Sequence, residues 1–196
     1  MSGTSRRRRP AVLLALVTAG ALGCGPRLPD LGAVPAFTLT ERDGRPVRAD
    51  DLSGHVWIAD FVFTRCRDVC PALTAGMAGL QRRVPVGDDP VRLVSISVDP
   101  EHDTPDVLRP YAEHAGAGPS WIFLTGSRDA IATLLAEGFH LAFATDGPPE
   151  APITHSDRFV LVDRTRRIRG YYHGRDPDDV ERLVRDAGAL HAGRAR

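Results

Sequence analysis

The stretch Asp60-Phe61-Val62-Phe63-Thr64-Arg65-Cys66-Arg67-Asp68-Val69-Cys70-Pro71 runs from an apolar, strand-like segment into two cysteines four positions apart and then into a helix. Pro71 suits the first helical position, because its fixed φ is already helical and its missing N–H would have no intrahelical partner. That makes Cys70 the predicted N-cap. A thiol there faces the positive end of the helix dipole, which lowers a cysteine pKa from ~8.5 toward roughly 3.5 to 7.5. Metal binding and thiol exchange both become accessible at neutral pH.

Outward from this stretch, strand-like and helix-like segments alternate. Residues 37–40 and 46–48 read as a hairpin around the turn Arg42-Asp43-Gly44-Arg45, and 56–63 is a continuous apolar run broken by Asp60, of the kind found in buried strands. A helix is expected over 71–83, a strand over 91–98, a helix over 104–115 with Pro105 in its first turn, and a strand over 121–124. A helix capped by Ser127 over 127–138, a hairpin of 158–162 with 168–172, and a closing helix over 177–187 complete the pattern. Strands separated by helices imply an α/β domain with a largely parallel sheet.

Composition sets the bounds. The chain has 196 residues, 42% of them hydrophobic, so one soluble domain with a real core is expected over residues 36–188. All 25 basic residues are Arg, four of them at positions 6–9; from Cys24 onward 21 Arg face 25 acidic residues, a net of −4, and no nucleic-acid partner is expected. Arg6 to Arg9 followed by an apolar stretch ending at Gly23 read as an export signal over 1–23, too short for the ~20 residues of a spanning helix. Ala21-Leu22-Gly23-Cys24 resembles a bacterial lipoprotein processing site, which predicts lipidation of Cys24, a tether over 24–35 and a domain held at the extracytoplasmic face of the cell membrane. Plain secretion, an uncleaved anchor and twin-arginine export are the alternatives. The segment 189–196 is read as a flexible tail.

With Cys24 acylated, Cys66 and Cys70 remain as a pair in an oxidising compartment. A purely structural disulfide is the plain reading. Against it, a bridge over three intervening residues removes little unfolded-chain entropy, because that quantity grows with the logarithm of loop length.

The order of elements, with a cysteine pair where the first long strand meets its helix, resembles the thioredoxin-like fold: a central mixed sheet flanked by helices, with an N-terminal hairpin. Within it, three segments are similar to the Sco/SenC family of copper-binding assembly proteins over about residues 35–188. They are Asp60 to Pro71 with its Cys66-Arg67-Asp68-Val69-Cys70-Pro71, then Ser95-Ile96-Ser97-Val98-Asp99-Pro100-Glu101-His102-Asp103-Thr104-Pro105, and Thr154-His155-Ser156 ahead of Phe159. The resemblance implies one copper per chain held by Cys66, Cys70 and His155. Two thiolates favour Cu(I), and an imidazole lets the same site hold Cu(II). Two thiolates and Cu(I) sum to a single negative charge, which the helix dipole offsets in part and to which Arg65 and Arg67 contribute if they point inward. Asp68 is expected to cap its own turn, and Asp99, Asp103 and Thr104 the following helix. His102 is an auxiliary-ligand candidate, while His55, His114, His140, His173 and His191 read as surface residues.

Three functions follow. The resemblance implies a metallochaperone delivering copper to the dicopper centre of cytochrome c oxidase, on subunit II, or to another cuproprotein client. A periplasmic thiol-disulfide oxidoreductase or redox sensor would use Cys66 and Cys70 as a catalytic redox pair, cycling through a Cys66–Cys70 disulfide and keeping client cysteines reduced. His155 separates these two, because dithiol exchange does not need it. A thiol peroxidase, which carries a Thr-x-x-Cys motif after a proline, is disfavoured, since Thr64 stands two positions before Cys66 and no proline precedes it nearby.

Overall fold

The computed structural model describes residues 27–66, 69–144 and 154–193, with the backbone alone for Val69, Phe143, Ala144, Thr154 and His155. The leader 1–23, Cys24, Arg67 and Asp68 therefore lie outside the described residues.

Trp57–Val62, strand β3, is buried at every position, and that two-sided burial is what its continuous apolar run predicts for the middle of a sheet. Before it come β1 (Thr38–Glu41) and β2 (Pro46–Arg48), the expected hairpin, followed by a 3-10 turn at Ala49–Leu52. After it come α1 (Val69–Gln81), β4 (Arg92–Ser97), α2 (Pro105–His114), β5 (Trp121–Thr125) and α3 (Arg128–Thr133), whose last turn widens into a π-helical stretch, Leu134–Gly138. Two short strands, β6 (Phe143–Ala144) and β7 (Thr154–His155), pair with each other; β8 (Arg158–Val162), β9 (Ile168–His173) and α4 (Pro177–His191) close the chain.

The main sheet runs β2-β1-β5-β4-β3-β8-β9, parallel across β3, β4 and β5 and antiparallel elsewhere. This is the mixed α/β sheet with an N-terminal hairpin that the thioredoxin-like reading requires. Side-chain alternation divides the core in two. Leu73, Met77 and Leu80 of α1, Leu108 of α2 and Leu183 of α4 pack with Ile58, Leu93 and Phe123, while Ile131, Leu135 and Phe139 pack with Trp57, Phe61 and Ile96. Phe61 meets Phe139 edge-on at 5.0 Å. No helix among the described residues is long and apolar enough to cross a membrane.

Both expected ends differ from the structure. Within the segment read as a tether, Leu31 and Val34 donate backbone hydrogen bonds to Ile168 and Arg166, and Val34 is buried, so these residues belong to the domain. Leu31 to Val34 pair with the approach to β9, satisfying backbone groups that a loose linker would leave to water. The first residues of the segment read as a tail also belong to the fold, since α4 continues to His191. Leu190 is buried, and His191 Nε2 lies 2.7 Å from the Asp89 carbonyl. Nor is His55 a free surface group; its Nδ1 lies 2.9 Å from Asp89 Oδ1.

Candidate metal centre

Parallel pairing of β3 with β4 brings both strands' C-terminal ends to one edge of the sheet, where α/β proteins gather their sites. β8 runs antiparallel to β3, so its beginning lies at that same edge, and His155 is three residues upstream of it. The topology thus places Thr64 to Cys66, Cys70, Asp99 to Asp103 and the backbone of His155 at one end of the molecule. His155 itself sits in β7 opposite Phe143.

Cys66 and Cys70 are not joined by a disulfide. The Cys70 backbone N–H donates to Cys66 Sγ at 3.4 Å, so it is the Cys66 sulfur that meets the open amides at the start of α1. This corrects the N-cap assignment. The helix begins at Val69, Cys70 is its second residue, and Pro71 still falls in the first turn, where its missing N–H costs nothing. Cys70 is fully buried, and burial foremost, with the neighbouring Cys66, pushes its thiol well up. A helix dipole contributes up to ~2 kcal/mol, whereas full burial shifts a pKa by up to roughly 3 to 5 units, at about 1.4 kcal/mol each. Desolvation therefore wins at Cys70. Cys66, half-buried, opens onto a cleft of about 510 Å³ lined also by Thr64, Pro71, Thr74, Tyr111 and His114.

Beneath the thiols lies a buried polar group to which the sequence assigns no role. Asp60 is completely buried; Ser95 Oγ donates to its Oδ1 at 2.5 Å, and Trp121 Nε1 donates to Ser95 Oγ at 2.9 Å. Its Oδ2 has no hydrogen-bond partner among the described residues. Burial raises the Asp60 carboxyl to about 7, against the opposing Ser95 bond. Its one visible signal was a carboxylate interrupting an apolar strand. On the cleft wall, Thr74 Oγ1 and the Tyr111 hydroxyl share a 2.7 Å hydrogen bond, and burial lifts the Tyr111 hydroxyl to about 12.

The expectations for charge and capping also change. Arg65 is turned to Asp99, donating from Nε at 2.9 Å and from a terminal nitrogen at 2.5 Å, so its charge is already matched. Thr104 is the N-cap of α2 but makes no side-chain cap bond, and the carboxylates of Asp99 and Asp103 bind the loop before Cys66 instead. His102 Nδ1 faces Asp103 at 3.0 Å and Thr64 Oγ1 at 3.3 Å, not a cysteine sulfur. His140 takes a left-handed backbone, φ 52°, on the wall of a second cleft with Ser156, Arg158 and Tyr171.

The SCO1/SenC family model matches residues 29–189. A Bacillus subtilis protein described as a SCO1 protein homolog is 35% identical over 162 residues, which is 80% of this chain and 83% of that one. Among solved structures, a SCO1/SenC family lipoprotein from Bacillus anthracis superposes with a TM-score of 0.74 at 31% identity, covering 84% of this chain and 99% of that one. BsSco, described as having a disulfide switch and as a member of the Sco family of cytochrome c oxidase assembly proteins, gives 0.71 at 34% identity over 84% of this chain and 99% of its own. Arabidopsis thaliana ScoI with copper bound gives 0.70 at 26% identity over 83% and 99%. With the match spanning nearly all of the described domain and the cysteine pair at the sheet edge, the chain belongs to the SCO1/SenC family.

Proposed function

We propose that the protein carries copper, one ion per chain, on Cys66, Cys70 and His155, and passes it to the dicopper centre of cytochrome c oxidase or another cuproprotein client. The observation that carries this reading is the unbridged cysteine pair, with the Cys70 N–H donating to Cys66 Sγ, Cys66 open to a cleft and Cys70 sealed beneath it. The donor set fits the ion: two sulfurs are soft ligands for Cu(I), and an imidazole adds a donor that Cu(II) accepts. Copper in the related Arabidopsis thaliana ScoI supports the choice of metal. Metal binding would require Cys70 to lose its proton despite burial, so the affinity depends on the ion's own charge replacing the water that Cys70 lacks.

Thiol-disulfide chemistry is the second reading, favoured by the unequal exposure of the two sulfurs. Cys66 is the thiol that a partner can reach, and Cys70 is placed to close on it. Closing the pair removes two electrons and two protons to an external disulfide, which is reduced to two thiols. The two roles exclude each other in time, because only the dithiol offers two thiolates. Mild oxidation with oxidised glutathione is expected to form the Cys66–Cys70 bridge and to release bound copper. Copper retained after complete oxidation, by mass spectrometry and metal analysis, would rule out this switch.

An extracytoplasmic membrane anchor through lipid on Cys24 completes the proposal, supported by the lipoprotein relative from Bacillus anthracis. Since the domain already begins by Leu31, the anchor would hold the site close to a client in the same membrane and raise their effective concentration. Cys24→Ser is expected to release the protein into the soluble fraction. Wild type found there, with an N-terminus other than residue 24, would contradict the anchor.

A further inference from the structure

The segment after β4 ends in two carboxylates that reach across to the loop carrying Cys66. Asp103 is fully buried, and four contacts fill its two oxygens. Oδ2 accepts the Thr64 backbone N–H at 3.0 Å and Ser97 Oγ at 2.6 Å; Oδ1 accepts Thr64 Oγ1 at 2.5 Å and faces His102 Nδ1 at 3.0 Å. Asp99, almost as buried, accepts two hydrogen bonds from Arg65 on Oδ2. The segment is also closed on itself, the Asp99 N–H donating to Ser97 Oγ at 3.1 Å and the Asp103 N–H to the Asp99 carbonyl at 2.8 Å. Residues 64 and 65, the two immediately before Cys66, are therefore each tied by a carboxylate to the end of a central strand.

We infer that Asp103, assisted by Asp99, is a positioning residue for Cys66, fixing the loop so that the Cys66 sulfur stays opposite the Cys70 amide. This rests on the reading of Cys66 as the working thiol. Asp99, His102 and Asp103 also bring ligand atoms within 4.8 Å of one another, the spacing of a cation site. Their lone pairs are already engaged: a carboxylate has about four lone-pair sites, and Asp103 receives four contacts from its own chain. Charge-assisted bonds to backbone and hydroxyl are short and directional, which suits them to fixing a loop. A loop held this way fixes sulfur geometry, and a thiol pair responds to misplacement through its disulfide equilibrium.

The test is made on copper-free protein, so that it stands whether or not copper is the cargo. The equilibrium of the Cys66–Cys70 pair with glutathione is measured for wild type, Asp103→Asn, Thr64→Val and Thr64→Ser, with far-UV circular dichroism as the folding control. Asp103→Asn and Thr64→Val are expected to shift the equilibrium constant at least fivefold. Thr64→Ser, which keeps the hydroxyl, should stay within twofold of wild type. Should Asp103→Asn fail to fold, Thr64→Val decides alone, being of nearly the same shape as threonine. A wild-type constant in folded Thr64→Val overturns the inference. Copper or zinc bound by a Cys66→Ala/Cys70→Ala protein and lost with His102→Ala also overturns it, by assigning the cluster to a cation.

Discussion

A carboxyl group sealed inside β3 couples this fold to pH. Asp60 titrates near 7 when folded because burial disfavours its charged form, whereas in the unfolded chain it titrates near 4. The folded state therefore binds the proton more tightly, and the associated stability is present below about pH 4 and lost as pH rises toward 7. Asp60→Asn keeps an acceptor for Ser95 and removes the ionisation. Relative to wild type, that variant is expected to gain stability across this window, on the order of 3 kcal/mol by pH 7. Denaturant unfolding of the reduced, metal-free proteins at several pH values would show it, and parallel pH profiles would contradict it. At this scale the cysteines were legible because their spacing is local. The burial that reverses the expected Cys70 shift was not, nor was the Asp60–Ser95 bond, which joins residues 35 positions apart. Arg65, read as a possible counter-charge to the metal, is matched by Asp99 for the same reason: its partner lies 34 positions away.

Helix α1 has to lie close against β8 and the end of β9, and a missing side chain makes the room. A Cβ on Gly174 would fall 2.6 Å from Leu73 Cδ2 and 2.9 Å from Phe159 Cζ, both fully buried and unable to yield. Gly174→Ala is accordingly expected to cost roughly 1 to 3 kcal/mol through overpacking. A thermal midpoint equal to or above that of wild type would contradict this packing. Elements with strong local signals were readable in advance. β2 matches residue for residue, and Ser127 caps α3 by accepting the Ala130 N–H at 3.2 Å, as its sequence position indicates. What escaped depended on partners remote in sequence. The pairing of Leu31 to Val34 with Arg166 to Ile168, the extension of α4 that buries Leu190, and the β6–β7 pair carry no periodic pattern of their own. The π-helical end of α3 likewise has no composition that marks it.

Sheet order is what brings separate motifs to one end of the molecule. Parallel β3 and β4 deliver Cys66 and the Asp99–Asp103 segment to one edge, and antiparallel β8 returns the chain past His155 to that same edge. Three stretches dispersed over some ninety residues of sequence thereby converge. The family resemblance predicts that His155 joins the cysteines there, whereas spacing alone leaves metal binding and thiol exchange both open. Anaerobic Cu(I) titration of the reduced protein and its variants tests the copper assignment most directly. Wild type is expected to bind one equivalent tightly, Cys66→Ala and Cys70→Ala each to lose tight binding, and His155→Ala to keep part of its Cu(I) affinity, since the thiolates dominate for the softer ion. Tight stoichiometric Cu(I) binding by either cysteine variant, or none by wild type, would contradict the two-sulfur site.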